Sequence, residues 1–160
     1  MLESALKILK EINSYSYEAY IVGGFVRDYI LGIESRDIDI ATNAPKAIKS
    51  IFKDSFLPND DYGSVIVLKD GERFEITTFR REISYVNNRK PSEIKYIDKI
   101  EDDLLRRDFT INTICMDKDG KIIDLLNGIR DLKDKKIISI GDPKIRFEED
   151  SLRILRAIRF

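Results

Sequence analysis

The chain contains no histidine and a single cysteine, Cys115, in 160 residues. That excludes a disulfide within it, zinc sites of the Cys/His type and every mechanism that needs an imidazole base. Acid–base chemistry is left to carboxylate, lysine, tyrosine or metal-bound water. Cys115, inside the run "INTICMD", reads as a small core residue rather than a nucleophile. No apolar run approaches the roughly 18 residues of a membrane span. Met1 is followed at once by an amphipathic pattern instead of a signal sequence, so a cytoplasmic chain is expected. Internal repeats, Gly/Ser linkers and low-complexity tracts are also missing. So is charge of one sign: 28 basic residues face 29 acidic ones, and any affinity for nucleic acid must come from local patches.

What remains is enough for one packed domain of ordinary size, with 42% hydrophobic residues. "LESALKILKEI" repeats apolar side chains at helical spacing. "EAYIVGG" predicts a buried strand, "FVRDYILG" a helix closed by Gly32, and "DIDIAT" the next strand. "NAPKAIKSIF" predicts a further helix. From Ser64 the period changes to two, and "SVIVLKDGERFEITTF" predicts a hairpin turning at Asp70-Gly71. "RREISYVNNRKPSE", polar and broken by Pro91, predicts a mobile loop. "IEDDLLRRD" predicts a helix, "KKIISIG" a strand, and "FEEDSLRILRAIRF" a closing helix. The class is α+β, a mixed sheet with flanking helices, with a second helical element beginning after Pro143.

Chemistry concentrates in five places. "YIVGGFVRD" sets a strand, a Gly pair and a helix start in sequence, where backbone N–H groups and the helix dipole favour an anion. Arg27 in that first turn is poorly placed unless an anion lies nearby; a tight turn with a surface arginine fits the same residues. "RDIDIAT" places Asp37 and Asp39 on one side of a strand and Ile38 and Ile40 on the other. Two carboxylates beside a phosphate cradle suit Mg²⁺, which keeps several waters and binds through one or two carboxylates plus substrate phosphates; a turn cap and an ion pair with Arg36 or Arg27 are the bland alternative. Glu75 on the hairpin could come alongside the aspartates, or face solvent. "LLRRDFTINT" sets Arg106 and Arg107 before Asp108, suited to phosphates and a sugar, or to a basic helix end and an N-cap. On the closing helix, Asp150 and Arg153 are neighbours, with Arg156 and Arg159 further round. An acceptor beside a donor fork can meet the Watson–Crick edge of a base.

The blocks "GGFVRDYILG", "RDIDIAT", "EITTFR", "RRDFTIN" and "EEDSLRILRAIRF", in that order, resemble the class II tRNA nucleotidyltransferases, which add CCA to tRNA, and the bacterial poly(A) polymerases that share their head domain. The resemblance implies a DNA polymerase β-like nucleotidyltransferase head over residues 1–143 and the start of a helical neck over 144–160. It implies Mg²⁺-dependent transfer of CMP and AMP from CTP and ATP to the tRNA 3′ end, with release of pyrophosphate. It assigns Asp37 and Asp39 to catalysis and metal, and Gly24, Arg27 and Arg107 to the nucleotide. Asp108 and Asn112 fall near the ribose. Asp150 and Arg153 would read the base, supported by Arg156 and Arg159. "REISYVNNRKP" corresponds to the flexible loop that switches C to A addition. Asn87 replaces a frequent aspartate, and "DLLNG" a frequent "DPFGG". Family members are much longer, so a piece of a longer protein is expected, and a nucleotide-binding fragment without efficient transfer, or an A-adding or poly(A) polymerase head, stands as the alternative. A small-molecule nucleotidyltransferase is the weaker third reading, because it has no use for "EDSLR".

Overall fold

The structure, a computed structural model, describes residues 1–44, 47–57, 63–86 and 90–160. Helix α1 (Leu2–Ser14) buries Ala5, Ile8, Leu9 and Ile12 on one face, as its spacing predicts. Strand β1 (Ala19–Val22) runs into α2 (Gly24–Leu31), which stops at Gly32; φ there is 69°, and its N–H bonds back into the last turn. Then come β2 (Asp39–Thr42), a short α3 (Ile48–Ile51) and β3 (Ser55–Phe56). Strands β4 (Ser64–Lys69) and β5 (Glu72–Thr78) form the expected hairpin. Its turn residues Asp70 and Gly71 both have positive φ, 54° and 78°, the requirement of a type I′ turn.

Beyond the hairpin lie β6 (Arg80–Val86), β7 (Lys90–Tyr96), α4 (Ile100–Leu104) and a 3-10 turn at Thr110–Asn112. Strands β8 (Cys115–Met116) and β9 (Ile122–Ile123) and helices α5 (Gly128–Lys133), α6 (Pro143–Glu149) and α7 (Leu152–Arg159) complete the chain. Seven strands form one mixed sheet in the order β3-β4-β5-β2-β1-β8-β9, with β2 and β5 parallel and the other pairs antiparallel.

Period-two alternation sorts the sheet's side chains between two cores. Ile21, Ile40, Ile76 and Met116 face the layer made by α1, α2 and α3. Val22, Ala41 and Cys115 face the other way, against Ile100 and Leu104 of α4. Asp39, one residue from Ile40, therefore projects on the α4 side. Its parallel partner in register is Glu75, flanked by the buried Phe74 and Ile76.

Four expectations change. In "RREISYVNNRKPSE", residues 80–86 and 90–93 are not loop but belong to a separate two-stranded antiparallel sheet, β6 and β7, and residues 87–89 lie outside the described residues; the β-branched and aromatic residues of the strands outweigh Pro91, which an outer strand tolerates. Asn87 lies outside the described residues. "KKIISIG" is not a strand: Ser139 makes an isolated bridge to Phe109, and Ile138 and Ile140 exchange single backbone bonds with Thr110 and Asp108. The closing helix is two helices, broken at Asp150, whose backbone is extended at φ −143° and ψ 103°. Finally, β2 begins at Asp39, so Asp37 precedes the strand, although Ile38 and Ile40 are buried and Asp37 and Asp39 exposed, as alternation requires.

Helix α5 holds the 3-10 turn from below. The Asp124 carboxylate accepts the N–H groups of Gly128 and Ile129, and Thr110 Oγ1 donates to Asp131 at 2.6 Å. A Cβ on Gly128 would stand 2.3 Å from the Thr110 carbonyl oxygen. Gly128→Ala must therefore push α5 off the turn, and is expected to cost about 1–3 kcal/mol in urea unfolding.

Candidate functional site

One cleft of about 520 Å³ is lined by Gly24, Arg27, Asp37, Asp39, Arg107, Asp150, Arg153, Arg156 and Arg159 together. These residues come from α2, the segment before β2, β2 itself, the segment after α4, and the α6–α7 pair. Asp108, Asn112 and Arg106 share the lining. Glu75 faces a second, smaller cavity on the other side of Asp39, with Arg80, Arg106 and Arg107.

Gly23 makes the first approach possible. With φ 76° and ψ −141° it occupies backbone space that only glycine enters without strain. A Cβ there would stand 3.6 Å from Arg107 Nη1 and 3.8 Å from Asp39 Oδ2. The strand-to-helix turn thus lies against a carboxylate and a guanidinium at once.

The acidic pair is under electrostatic pressure. Loss of hydration raises the pKa of Asp39, although the residue opens to the cleft; Glu75 and Asp37 add to the rise, while Arg107 and Arg156 oppose it. A cation held by these oxygens would relieve that repulsion. Among the described residues no group of three or more potential ligands is gathered, so the donor set is two open aspartates. That set suits Mg²⁺, which takes hard oxygens and leaves positions for water and phosphate.

Around the acids the arginines are fixed by partners. Arg27 donates through Nη1 to Asn112 Oδ1 at 2.9 Å and through Nε and Nη2 to Asp28. Arg107 Nη2 donates to Asp103 at 3.2 Å, and its buried Nε has no hydrogen-bond partner among the described residues. Asp108 accepts from Phe109 N–H, Asn112 and Arg156 Nε, the last at 2.6 Å. Burial alone would raise its pKa, but Asn112 and Arg156 outweigh that and hold it below the usual carboxylate range.

Arg153 is 5% exposed, and four of its N–H donors are used inside the protein: Nη1 on Arg146 O and Glu149, Nη2 on Tyr85 Oη and Arg106 O. A guanidinium has five. Asp150, which the sequence placed on the same helix, instead sits at the break and accepts Leu152 N–H through Oδ1 at 3.1 Å.

Residues 19–138 match the poly A polymerase head domain. The chain belongs to that family. This head domain is 48% identical over 157 residues to a CCA-adding enzyme of Bacillus pumilus, covering 98% of the chain and 39% of the relative. In structure it is similar to the Bacillus stearothermophilus CCA-adding enzyme in complex with CTP, with a TM-score of 0.89, 38% identity, and coverage of 99% of this chain and 38% of that one. It is also similar to the Thermotoga maritima CCA-adding enzyme complexed with tRNA, with a TM-score of 0.72, 30% identity, and coverage of 96% and 35%. The chain spans about 40% of the length of these relatives. Its α+β architecture is that of the polymerase β-like nucleotidyltransferase head. No helix among the described residues is long and apolar enough to cross a membrane.

Three features of this head domain escape a reading of the sequence. Phe160 lies under three guanidinium groups: Arg27 at 4.7 Å, Arg159 at 5.1 Å and Arg156 at 5.6 Å from its ring centroid. Gly23, rather than Gly24, takes the strained turn. Asp103, fully buried, accepts from Arg80 N–H, Arg106 and Arg107 together. An acid at helical spacing before two arginines was the only trace of Asp103 in the sequence.

Proposed function

We propose that this head domain transfers CMP and AMP from CTP and ATP to the 3′-hydroxyl of tRNA, releasing pyrophosphate. The observation that carries the reading is the convergence of an acidic pair, the Gly23-Gly24 turn, Arg27, Arg107 and the Asp150–Arg153 segment on one cleft. Residues 1–143 serve as the catalytic head. Residues 144–160, opened by Pro143 and capped by Asp142, begin a helical neck.

Asp37 and Asp39 would hold Mg²⁺, which when bound polarises the α-phosphate and favours the ionised attacking hydroxyl. The chain's own residues do the rest. Gly23 and Gly24 let the phosphates approach the start of α2, and Arg27 and Arg107 bring positive charge to them. Glu75, level with Asp39 on the neighbouring strand, adds negative charge beside it. Asn112 and Asp108, joined at 3.0 Å, line the same cleft and would face the sugar. Asp150 and Arg153 select the base. With four donors already engaged, Arg153 would contribute Nε–H or exchange a partner when a nucleotide enters. Arg156 and Arg159 lie further along the same wall.

The test is incorporation of labelled CTP and then ATP into tRNA lacking CCA, with poly(A) extension of an unrelated RNA as the second arm. Sequential addition of C and A to tRNA alone is expected. Extension of any RNA with A would replace this reading by a poly(A) polymerase. Binding of CTP without transfer, restored by the remaining length found in relatives, would make the chain a nucleotide-binding head that depends on other parts to act.

A further inference from the structure

Arg146 of α6 lies beyond residues 19–138, the span matched to the family, and carries no role in the site described above. Its Nη2 donates to the carbonyl oxygens of Arg106 at 2.5 Å and Arg107 at 2.8 Å, and reaches that of Leu105 at 3.4 Å. These carbonyls follow the end of α4, where helical geometry leaves acceptors without partners and a cation is favoured. The carbonyl of Arg146 in turn accepts from Arg153 Nη1 at 2.8 Å, while Arg153 Nη2 reaches the same Arg106 oxygen at 3.2 Å. Glu149 lies between the two guanidinium groups and accepts from both. The result is a closed ring through Arg146, Arg153, Glu149 and Arg106.

We infer that Arg146 is a positioning residue for base selection. It fastens the Asp150–Arg153 segment to the backbone that carries Arg106 and Arg107, so that the base-facing and phosphate-facing groups keep one spacing. The inference rests on the proposed nucleotidyl transfer. Nη2 meets both carbonyls while Nη1 takes Glu149, so the fork holds backbone and carboxylate at once, which the single nitrogen of an ammonium cannot do from one place. Beyond the break at Asp150, α7 has its own tie, Arg156 Nε to Asp108 at 2.6 Å, so Arg146 is the tie on the α6 side. Without the Arg146 side chain, the backbone carbonyl that Arg153 Nη1 meets would remain, but it would no longer be tied to the Arg106 and Arg107 backbone, nor Glu149 to a second guanidinium.

The experiment compares wild type, Arg146→Gln and Arg146→Lys in the full chain, by equilibrium binding of CTP, ATP, UTP and GTP and by amide hydrogen exchange. In Arg146→Gln, the preference for CTP over UTP is expected to fall about fivefold or more, as for the loss of an orienting hydrogen bond. Exchange should rise across residues 143–160 and stay unchanged in the sheet, and Arg146→Lys should restore part of both. A folded Arg146→Gln protein with wild-type exchange in α6 and α7, or with undiminished preference, overturns the positioning role. A wild-type chain that binds all four triphosphates equally overturns the base-selecting reading itself, and the exchange data then still decide whether Arg146 fastens the helices.

Discussion

Asp39→Asn is expected to lower nucleotidyl transfer by about 10³-fold or more while leaving the fold as stable as before, or more stable. Two physical arguments lead there. Asp39 lies level with Glu75 across a parallel strand pair and near Asp37, and desolvation and those two charges raise its pKa. In the absence of a cation the carboxylate is a liability to the folded state, and an uncharged amide of the same shape removes it. The reaction needs the charge, because an amide oxygen is a weaker ligand for Mg²⁺ and does not balance it. Activity and stability should therefore move apart, the signature of a group kept for function. Initial rates at saturating CTP, with thermal melts of both proteins, check the pair of outcomes. A variant within tenfold of wild type in rate would remove Asp39 from the metal site; one that loses activity only because it unfolds would show Asp39 to be structural.

Legibility in the sequence followed periodicity. The β4–β5 hairpin, α1, α2 and β1 are each marked by spacing and a turn or cap residue within a few positions, and the structure places them there. The Asp37–Asp39 alternation survived even though β2 begins late, because Ile38 and Ile40 still seek the core. Spacing failed where tertiary contacts decide the outcome. Asp150 breaks a continuous helical pattern, and its carboxylate then caps the helix that follows. "KKIISIG" has the composition of a strand but meets only one bridge partner, Phe109. The β6–β7 ribbon was hidden by its polar composition. In the cleft, the blocks pointed to which residues converge, but not to what holds them. That Arg153 is tied to Tyr85 and to the Arg106 carbonyl is a fact about neighbours distant in sequence, and the Arg107–Asp103 pair, although at helical spacing, gives no sign in the sequence that it is buried.

The largest loss of stability should come from Asp103→Ala, about 3–5 kcal/mol. Asp103 is completely buried and accepts from Arg106 Nε at 2.8 Å, Arg107 Nη2 at 3.2 Å and the Arg80 N–H at 3.1 Å. Burial by itself would raise its pKa, but the charges of Arg106 and Arg107 and the hydrogen bonds from Arg106 and the Arg80 N–H outweigh burial, and the carboxyl titrates below its ordinary value of 3.8. Alanine would remove the shared carboxylate from two mostly buried guanidinium groups, leaving Arg106 only its 3.5 Å contact with Glu82 among the described residues, and would take away the carboxylate oxygen that the Arg80 N–H meets. Asp103→Asn keeps an acceptor but not the charge, and should fall between. The sign of the pH dependence follows from the lowered pKa. The carboxylate's stabilisation is fully present above the unfolded-state value and disappears as pH falls through the folded one. Urea unfolding should therefore show a gap between wild type and Asp103→Ala that is constant near neutrality and closes only below about pH 4. A gap under about 1 kcal/mol at pH 7 would mean that Arg106 and Arg107 find other partners. A full gap with unaltered CTP affinity would mean that Asp103 holds the fold without setting Arg107, and would separate the buried ion cluster from the phosphate side of the cleft.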